Sequence, residues 1–313
     1  MRTFAVSALR EPPFPAGRHG ETARVGRESI AWAQRLGLVT SGKRLSRADA
    51  AGLAGRVCPA APVERMRLLA DLISWLFVMD DACDEDGLGV APTRLAPTVA
   101  ALLDVLDRHG DPRATPATES GPLGEALADL CRRVRLFGPP GLLLRFTSQV
   151  RDYLLALLWE AVNREHGRVP AVDEYVQMRR HTGGVQPSFT LTDLAAGGLP
   201  GPGRRADPGL VALELLAADL VCWCNDLFSY DKENRAGPDS HNLVTVLAEG
   251  SGGDEEAALR AAADRFNRGL SAYLAAEEAL SARGDDALRT VLRSRRNWIR
   301  ATYDWSQTAA RYA

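Results

Sequence analysis

The chain has 313 residues, 46% hydrophobic and 25% charged, with a formal net charge of −2. That composition is globular and long enough for a substantial core. It lacks the basic excess that would draw nucleic acid or an anionic membrane, so an anionic substrate would need metals or a few placed cations.

Residues 1–20 are rich in Pro, Gly and Arg and read as an irregular N-terminal arm, with no apolar stretch long enough for a signal peptide. No run approaches the roughly 18 apolar residues of a membrane helix, and a cytoplasmic protein is expected. From residue 21 onward apolar residues recur at helical spacing over 62–83, 92–108, 122–137, 140–165, 209–233, 255–283 and 285–310. Abundant Ala, Leu, Arg and Glu favour helix in these stretches. Turn-rich breaks fall at 109–120, 197–208, 235–240 and 250–253. Neither a strand series, a repeat nor a long linker is evident, so 21–313 is expected to be one all-α domain of about ten or more helices. Cys58, Cys83, Cys131, Cys222 and Cys224 are odd in number and include no CxxC pair. They read as reduced core thiols rather than a disulfide framework or a structural zinc site.

Two segments are apolar up to the point where acids begin: ADLISWLFVMDDACDED (70–86) and LELLAADLVCWCNDLFSYDKEN (213–234). In the first, Asp80, Asp81 and Asp84 make a DDxxD pattern followed by Glu85 and Asp86. On a helix, positions 80 and 84 share a face. Uncompensated, these carboxylates repel one another at the helix end the macrodipole already makes negative. A hard divalent cation relieves both costs, and Mg2+ suits a site that shares phosphate oxygens with a substrate. A solvated acidic helix end is the plainer alternative, and the uniformly apolar SWLFVM before it argues against that.

The second segment carries Asn225, Asp226, Ser229 and Glu233. Asn225, Ser229 and Glu233 follow i, i+4, i+8 spacing, so an amide oxygen, a hydroxyl and a carboxylate stand in one row. All three suit a hard cation. An ordinary polar face near a helix end would not need this regularity. Upstream, MRRHTGG (178–184) puts Arg179 before a Gly183–Gly184 step, with Pro187 soon after. These residues interrupt a helix and free backbone carbonyls.

NDLFSYDKE resembles the NSE metal motif of bacterial class I terpene synthases, and DDACD resembles that family's aspartate-rich motif. Arg179 lies where the family carries its diphosphate-sensing arginine, which would make Thr182 the linker and Gly183 the effector residue. Arg311 and Tyr312 resemble its terminal RY pair. The likeness covers residues 80–312 and implies an α-helical barrel-like fold with 21–313 as the catalytic domain. It further implies three Mg2+ ions, held by Asp80, Asp81 and Asp84 on one side and by Asn225, Ser229 and Glu233 on the other. Arg179, Lys232, Arg311 and Tyr312 would grip the diphosphate. Phe77 and Trp305 are candidates to line an apolar pocket and stabilise cations.

The implied activity is ionisation and cyclisation of a prenyl diphosphate, with farnesyl (C15) the first choice of substrate and geranylgeranyl (C20) the second. The alternatives are a chain-elongating prenyltransferase, whose second motif is normally aspartate-rich, and a non-catalytic prenyl diphosphate binding protein. No DxDD motif of a protonation-driven cyclase is present. The resemblance allows a homodimer; neither nucleic acid nor membrane is expected as a partner.

Overall fold

The computed structural model describes residues 4–236, 241–282 and 286–312, and among them there is no strand. The helices in chain order are α1 (Thr22–Arg35), α2 (Lys43–Ala48), α3 (Ala50–Val57), α4 (Val63–Asp84), α5 (Pro92–Asp107), α6 (Gly121–Phe137) and α7 (Pro140–His166). There follow α8 (Val172–Thr182), α9 (Val185–Ala196), α10 (Pro202–Arg205), α11 (Pro208–Ala236), α12 (Leu243–Gly250), α13 (Glu255–Ser281) and α14 (Asp286–Thr308). A 3-10 turn, Ala310–Tyr312, ends the described chain. No helix among the described residues is long and apolar enough to cross a membrane.

Each long stretch of helical spacing forms a helix where expected, except that positions 283 and 285 lie outside the described residues. The break at 197–208 is a partial exception, because it contains the single turn α10. The break expected at 235–240 begins inside α11, which runs to Ala236, and 237–240 lie outside the described residues.

α4 and α11 are apolar on nearly every face because both are enclosed. α4 packs against α1, α3, α6 and α9, while α11 packs against α8, α9, α12, α13 and α14. The outer helices α1, α5 and α6 bury one apolar stripe each. α13 is capped by Asp254, which accepts from the Ala257 N–H, and carries Glu255 and Glu256 in its first turn. Both features complement the positive end of the helix.

The N-terminal arm is irregular apart from one 3-10 turn, Val6–Ala8, and it is docked. Phe4 meets Phe228 edge-on at 5.7 Å, and Phe14 meets Tyr273 at 6.0 Å. The Arg10 N–H donates to Asn267 Oδ1 at 2.8 Å, and Arg300 donates to the carbonyls of Pro12 and Phe14. The arm therefore covers α11, α13 and α14.

At one end of the bundle, α9, α11 and α14 are tied by a buried ion cluster. Arg295 donates to Asp193 Oδ1 at 2.8 Å and also to Glu214, and its guanidinium lies 4.3 Å over the Phe189 ring. Arg295 and Asp193 are both fully buried. Such a pair fixes an arrangement more than it adds stability, since desolvation offsets the attraction.

Candidate active site

A cavity of about 300 Å³ lies among α4, α7, the α8–α9 junction, α11 and α14, with Arg311 and Tyr312 of the terminal turn in its wall. Part of its polar lining comes from the two enclosed helices, and Glu160, Arg164, Arg179 and Arg311 add to it. α4 supplies Asp80, Asp84 and Glu85; α11 supplies Asn225, Ser229, Lys232 and Glu233. The remaining wall is largely apolar and aromatic, including Ile73, Leu76, Phe77, Val221, Trp298 and Trp305.

The helix register separates the three aspartates. Asp80 and Asp84, one turn apart, both line the cavity, whereas Asp81 does not. Asp81 is turned into the protein, 8% exposed, and its Oδ1 accepts from Arg311 at 2.8 Å. Burial pushes its carboxyl above the usual range, although the nearby Arg311 and Lys232 charges pull the other way. The same Arg311 nitrogen reaches Asp80 Oδ2 at 2.7 Å. Asp84 is held by Arg164 of α7 at 2.5 Å.

On the opposite wall Asn225, Ser229 and Glu233 do stand in one row facing the cavity. Asn225 accepts from Arg179 at 2.8 Å through Oδ1 and donates through Nδ2 to the Tyr312 hydroxyl at 2.6 Å. Ser229 donates to the Asp226 carbonyl at 3.3 Å, and Glu233 accepts from Asn242 at 2.7 Å. Asp226 points away from the cavity. Its carboxylate accepts from Arg179 Nε at 2.9 Å and from the Tyr175 hydroxyl at 2.6 Å. Burial raises the Asp226 carboxyl, against the pull of the Arg179 charge and the Tyr175 hydrogen bond.

Between the walls runs an interrupted helix. α8 ends at Thr182, Gly183 stays right-handed, and Gly184 takes φ +62° before α9 begins at Val185. The backbone angle at Gly184 favours glycine, and a Cβ would also lie 2.8 Å from Leu76 Cδ1 and push that side chain aside. A Cβ at Gly183 would lie 2.7 Å from Cys222 Sγ. Thr182 and Gly183 line the cavity. The Thr182 hydroxyl is buried with no hydrogen-bond partner among the described residues.

The terminal turn is seated by aromatic packing. Phe77 stacks on Trp305 at 5.8 Å and 11°, Tyr312 meets Trp305 edge-on at 5.5 Å, and the Arg311 guanidinium lies 4.5 Å over Phe77. Phe77 and Trp305 thus line the cavity and also anchor Arg311 and Tyr312. Trp305 Nε1 donates to the Asp49 carbonyl at 3.2 Å. Lys232 reaches Glu85 at 2.8 Å across the gap between α4 and α11. Burial is the largest single influence on Glu85 and works against ionisation, but the Lys232 contact together with the Arg44 and Arg311 charges outweighs it and lowers the carboxyl.

Sequence reasoning missed several of these residues. Glu160 and Arg164 of α7 line the cavity mouth, and their i, i+4 spacing in a largely apolar helix was a usable signal. Tyr175, which fixes Asp226, and Asn242, which touches Glu233, carried no signal in the pattern.

The donor set is hard oxygen throughout: two carboxylates on α4, and an amide, a hydroxyl and a carboxylate on α11. Among the described residues no three His, Cys, Asp or Glu side chains converge into a protein-only cage. That combination fits Mg2+, which keeps several waters and completes its octahedron with substrate phosphates.

Residues 71–271 match the terpene synthase family 2 C-terminal metal-binding domain. The chain is 36% identical over 311 residues to the (+)-T-muurolol synthase ((2E,6E)-farnesyl diphosphate cyclizing) of Roseiflexus castenholzii, covering 96% of this chain and 92% of that protein. It is 32% identical over 304 residues to the 4-epi-cubebol synthase ((2E,6E)-farnesyl diphosphate cyclizing) of Streptosporangium roseum, covering 96% and 90%. Wild-type cucumene synthase superposes with a TM-score of 0.82 at 25% identity, over 96% of this chain and 100% of that one. A protein from ancestral sequence reconstruction shares the fold with a TM-score of 0.86, over 96% and 90%.

The helical barrel with two acidic helix ends facing one cavity is that of a class I terpene cyclase. The chain belongs to the class I terpene synthase family, in terpene synthase family 2, and divalent metal use follows from that membership.

Proposed function

We propose that the protein cyclises farnesyl diphosphate with Mg2+, releasing diphosphate and a sesquiterpene hydrocarbon or alcohol. The observation that carries this is the facing of Asp80 and Asp84 on α4 against Asn225, Ser229 and Glu233 on α11 across one largely apolar cavity. The C15 substrate rests on the two relatives named as farnesyl diphosphate cyclising, and on a cavity at the small end of the range for small-molecule sites, about 300 Å³.

Asp80, Asp84, Asn225, Ser229 and Glu233 would hold the metal, three ions being the number the resemblance implies. Asp81 would act through Arg311. Bound Mg2+ supplies Lewis acidity to the diphosphate oxygens. Arg179, Lys232, Arg311 and Tyr312 bind and orient the diphosphate, so that its charge is stabilised as the C–O bond breaks and the electron pair leaves with oxygen. The Thr182–Gly183 junction sets the substrate's reacting end. Trp298 and Trp305 present aromatic surface to the cation and Phe77 seats Arg311 beside them, while the enclosed wall excludes water and holds the chain folded for ring closure. Residues 21–313 form the catalytic domain, with 1–20 as its N-terminal arm.

The test is incubation with Mg2+ and, separately, C10, C15 and C20 prenyl diphosphates, read by gas chromatography–mass spectrometry with an EDTA control. A cyclic C15 product that disappears with EDTA is expected. Longer diphosphates formed only on adding isopentenyl diphosphate would make it a prenyltransferase.

A further inference from the structure

We propose that Asn242 is a positioning residue for Glu233, joining the start of α12 to the α11 ligand row. The proposal rests on Glu233 being a metal ligand.

Asn242 is 1% exposed and uses its whole amide. Its Oδ1 accepts from the Val244 N–H at 2.8 Å and caps α12. Its Nδ2 donates to Glu233 Oε2 at 2.7 Å and to the Asp226 carbonyl at 2.9 Å. An amide has one acceptor oxygen and a two-proton donor nitrogen. Flipping this one would break all three bonds, so the cap dictates which atom faces Glu233.

Both ends of the ligand row are held through this side chain. The Asp226 carbonyl lies one residue after Asn225, and Glu233 is the last member of the row. The neighbouring backbone shares the work: the His241 carbonyl accepts from Tyr175 at 3.3 Å, and the Leu243 N–H donates to Asp226 Oδ2 at 3.4 Å. The α12 start is thereby tied to the groups that hold Arg179.

A neutral donor suits this position. Asn242 fixes the direction of the Glu233 carboxylate through a neutral donor, so its own contact does not neutralise the carboxylate. Lysine or arginine there would compete with the metal, and aspartate would repel the carboxylate.

The cap and the positioning contact separate by mutation. Asn242→Ser keeps a good capping oxygen for α12 but is too short to reach Glu233. Asn242→Ala loses both, and Asn242→Asp keeps the cap while placing a like charge beside Glu233. Binding of Mg2+ with inorganic diphosphate to the full chain, by isothermal titration calorimetry, is read beside thermal unfolding, with Glu233→Ala as reference. Asn242→Ser should unfold near the wild-type temperature yet bind Mg2+ about 10–100-fold more weakly, the usual cost of losing a ligand's supporting contact. Asn242→Asp should be weaker still. Wild-type binding by Asn242→Ser while Glu233→Ala has lost it would overturn the proposal. A lower unfolding temperature in Asn242→Ala alone, with wild-type binding in both variants, would make the residue a cap and nothing more. Wild-type binding by Glu233→Ala would instead sink the ligand assignment, and this proposal with it.

Discussion

The Tyr312 hydroxyl accepts a 2.6 Å hydrogen bond from Asn225 Nδ2, across 87 residues of chain. Its neighbour Arg311 reaches the other wall, at Asp80 and Asp81. The terminal turn thus bridges the two half-sites, with the guanidinium on the aspartates of α4 and the phenol on the amide of α11. Under the proposed function, substrate diphosphate takes over these contacts when it binds. Arg311→Ala is therefore expected to lower kcat/KM by about 10²–10³, as for loss of one donor to a developing anion. Steady-state kinetics with the C15 substrate checks this, and unchanged kinetics would remove Arg311 from the site.

Asp80→Asn, Asn225→Leu and Glu233→Ala each remove one hard oxygen donor or its charge from a partly exposed wall. Turnover should be abolished or severely lowered while circular dichroism and unfolding temperature stay close to wild type. Normal activity in two of the three would end the metal assignment.

Gly184→Ala puts a Cβ on a residue at φ +62° and within 2.8 Å of Leu76. The backbone strain alone costs about 1–3 kcal/mol, and the contact adds to it. Denaturant unfolding should show a lower midpoint, and because Leu76 lines the cavity the product mixture should also change.

The thiols make a separate test. Burial pushes Cys58, Cys131 and Cys222 up to about 12 from 9.0, and raises Cys83 and Cys224 as well. A raised thiol pKa keeps sulfur protonated and unreactive at pH 8. Ellman's reagent should therefore react slowly with the native protein and count five thiols after denaturation. Rapid reaction of several native thiols would contradict the packing.

Much of this architecture was legible because its main signals are local. Apolar spacing gave the long helices, and the switch from apolar to polar at Met79–Asp80 and Cys224–Asn225 marked the two segments that meet. Helix geometry puts Asp80 and Asp84 on one face and turns Asp81 about 100° away, but only packing decides which face meets the cavity. The contacts that were not legible join distant segments. Arg164 to Asp84 spans 80 residues and Tyr175 to Asp226 spans 51, with no periodicity to reveal either. α2 and α10 are too short to show a period. The docked arm uses isolated aromatics, Phe4 and Phe14, rather than a stripe.

The bridging turn also sets the order in which a newly made molecule becomes competent. Synthesis delivers the N-terminal portions first, so α4 and α11 can be folded and facing while Arg311 and Tyr312 are still being added. During that interval the compartment between them lacks part of its wall. A carbocation released there would meet water or alkylate the chain that made it. Because Arg311 and Tyr312 follow every other lining residue in the sequence, the two half-sites are joined only after the rest of the wall has been synthesised.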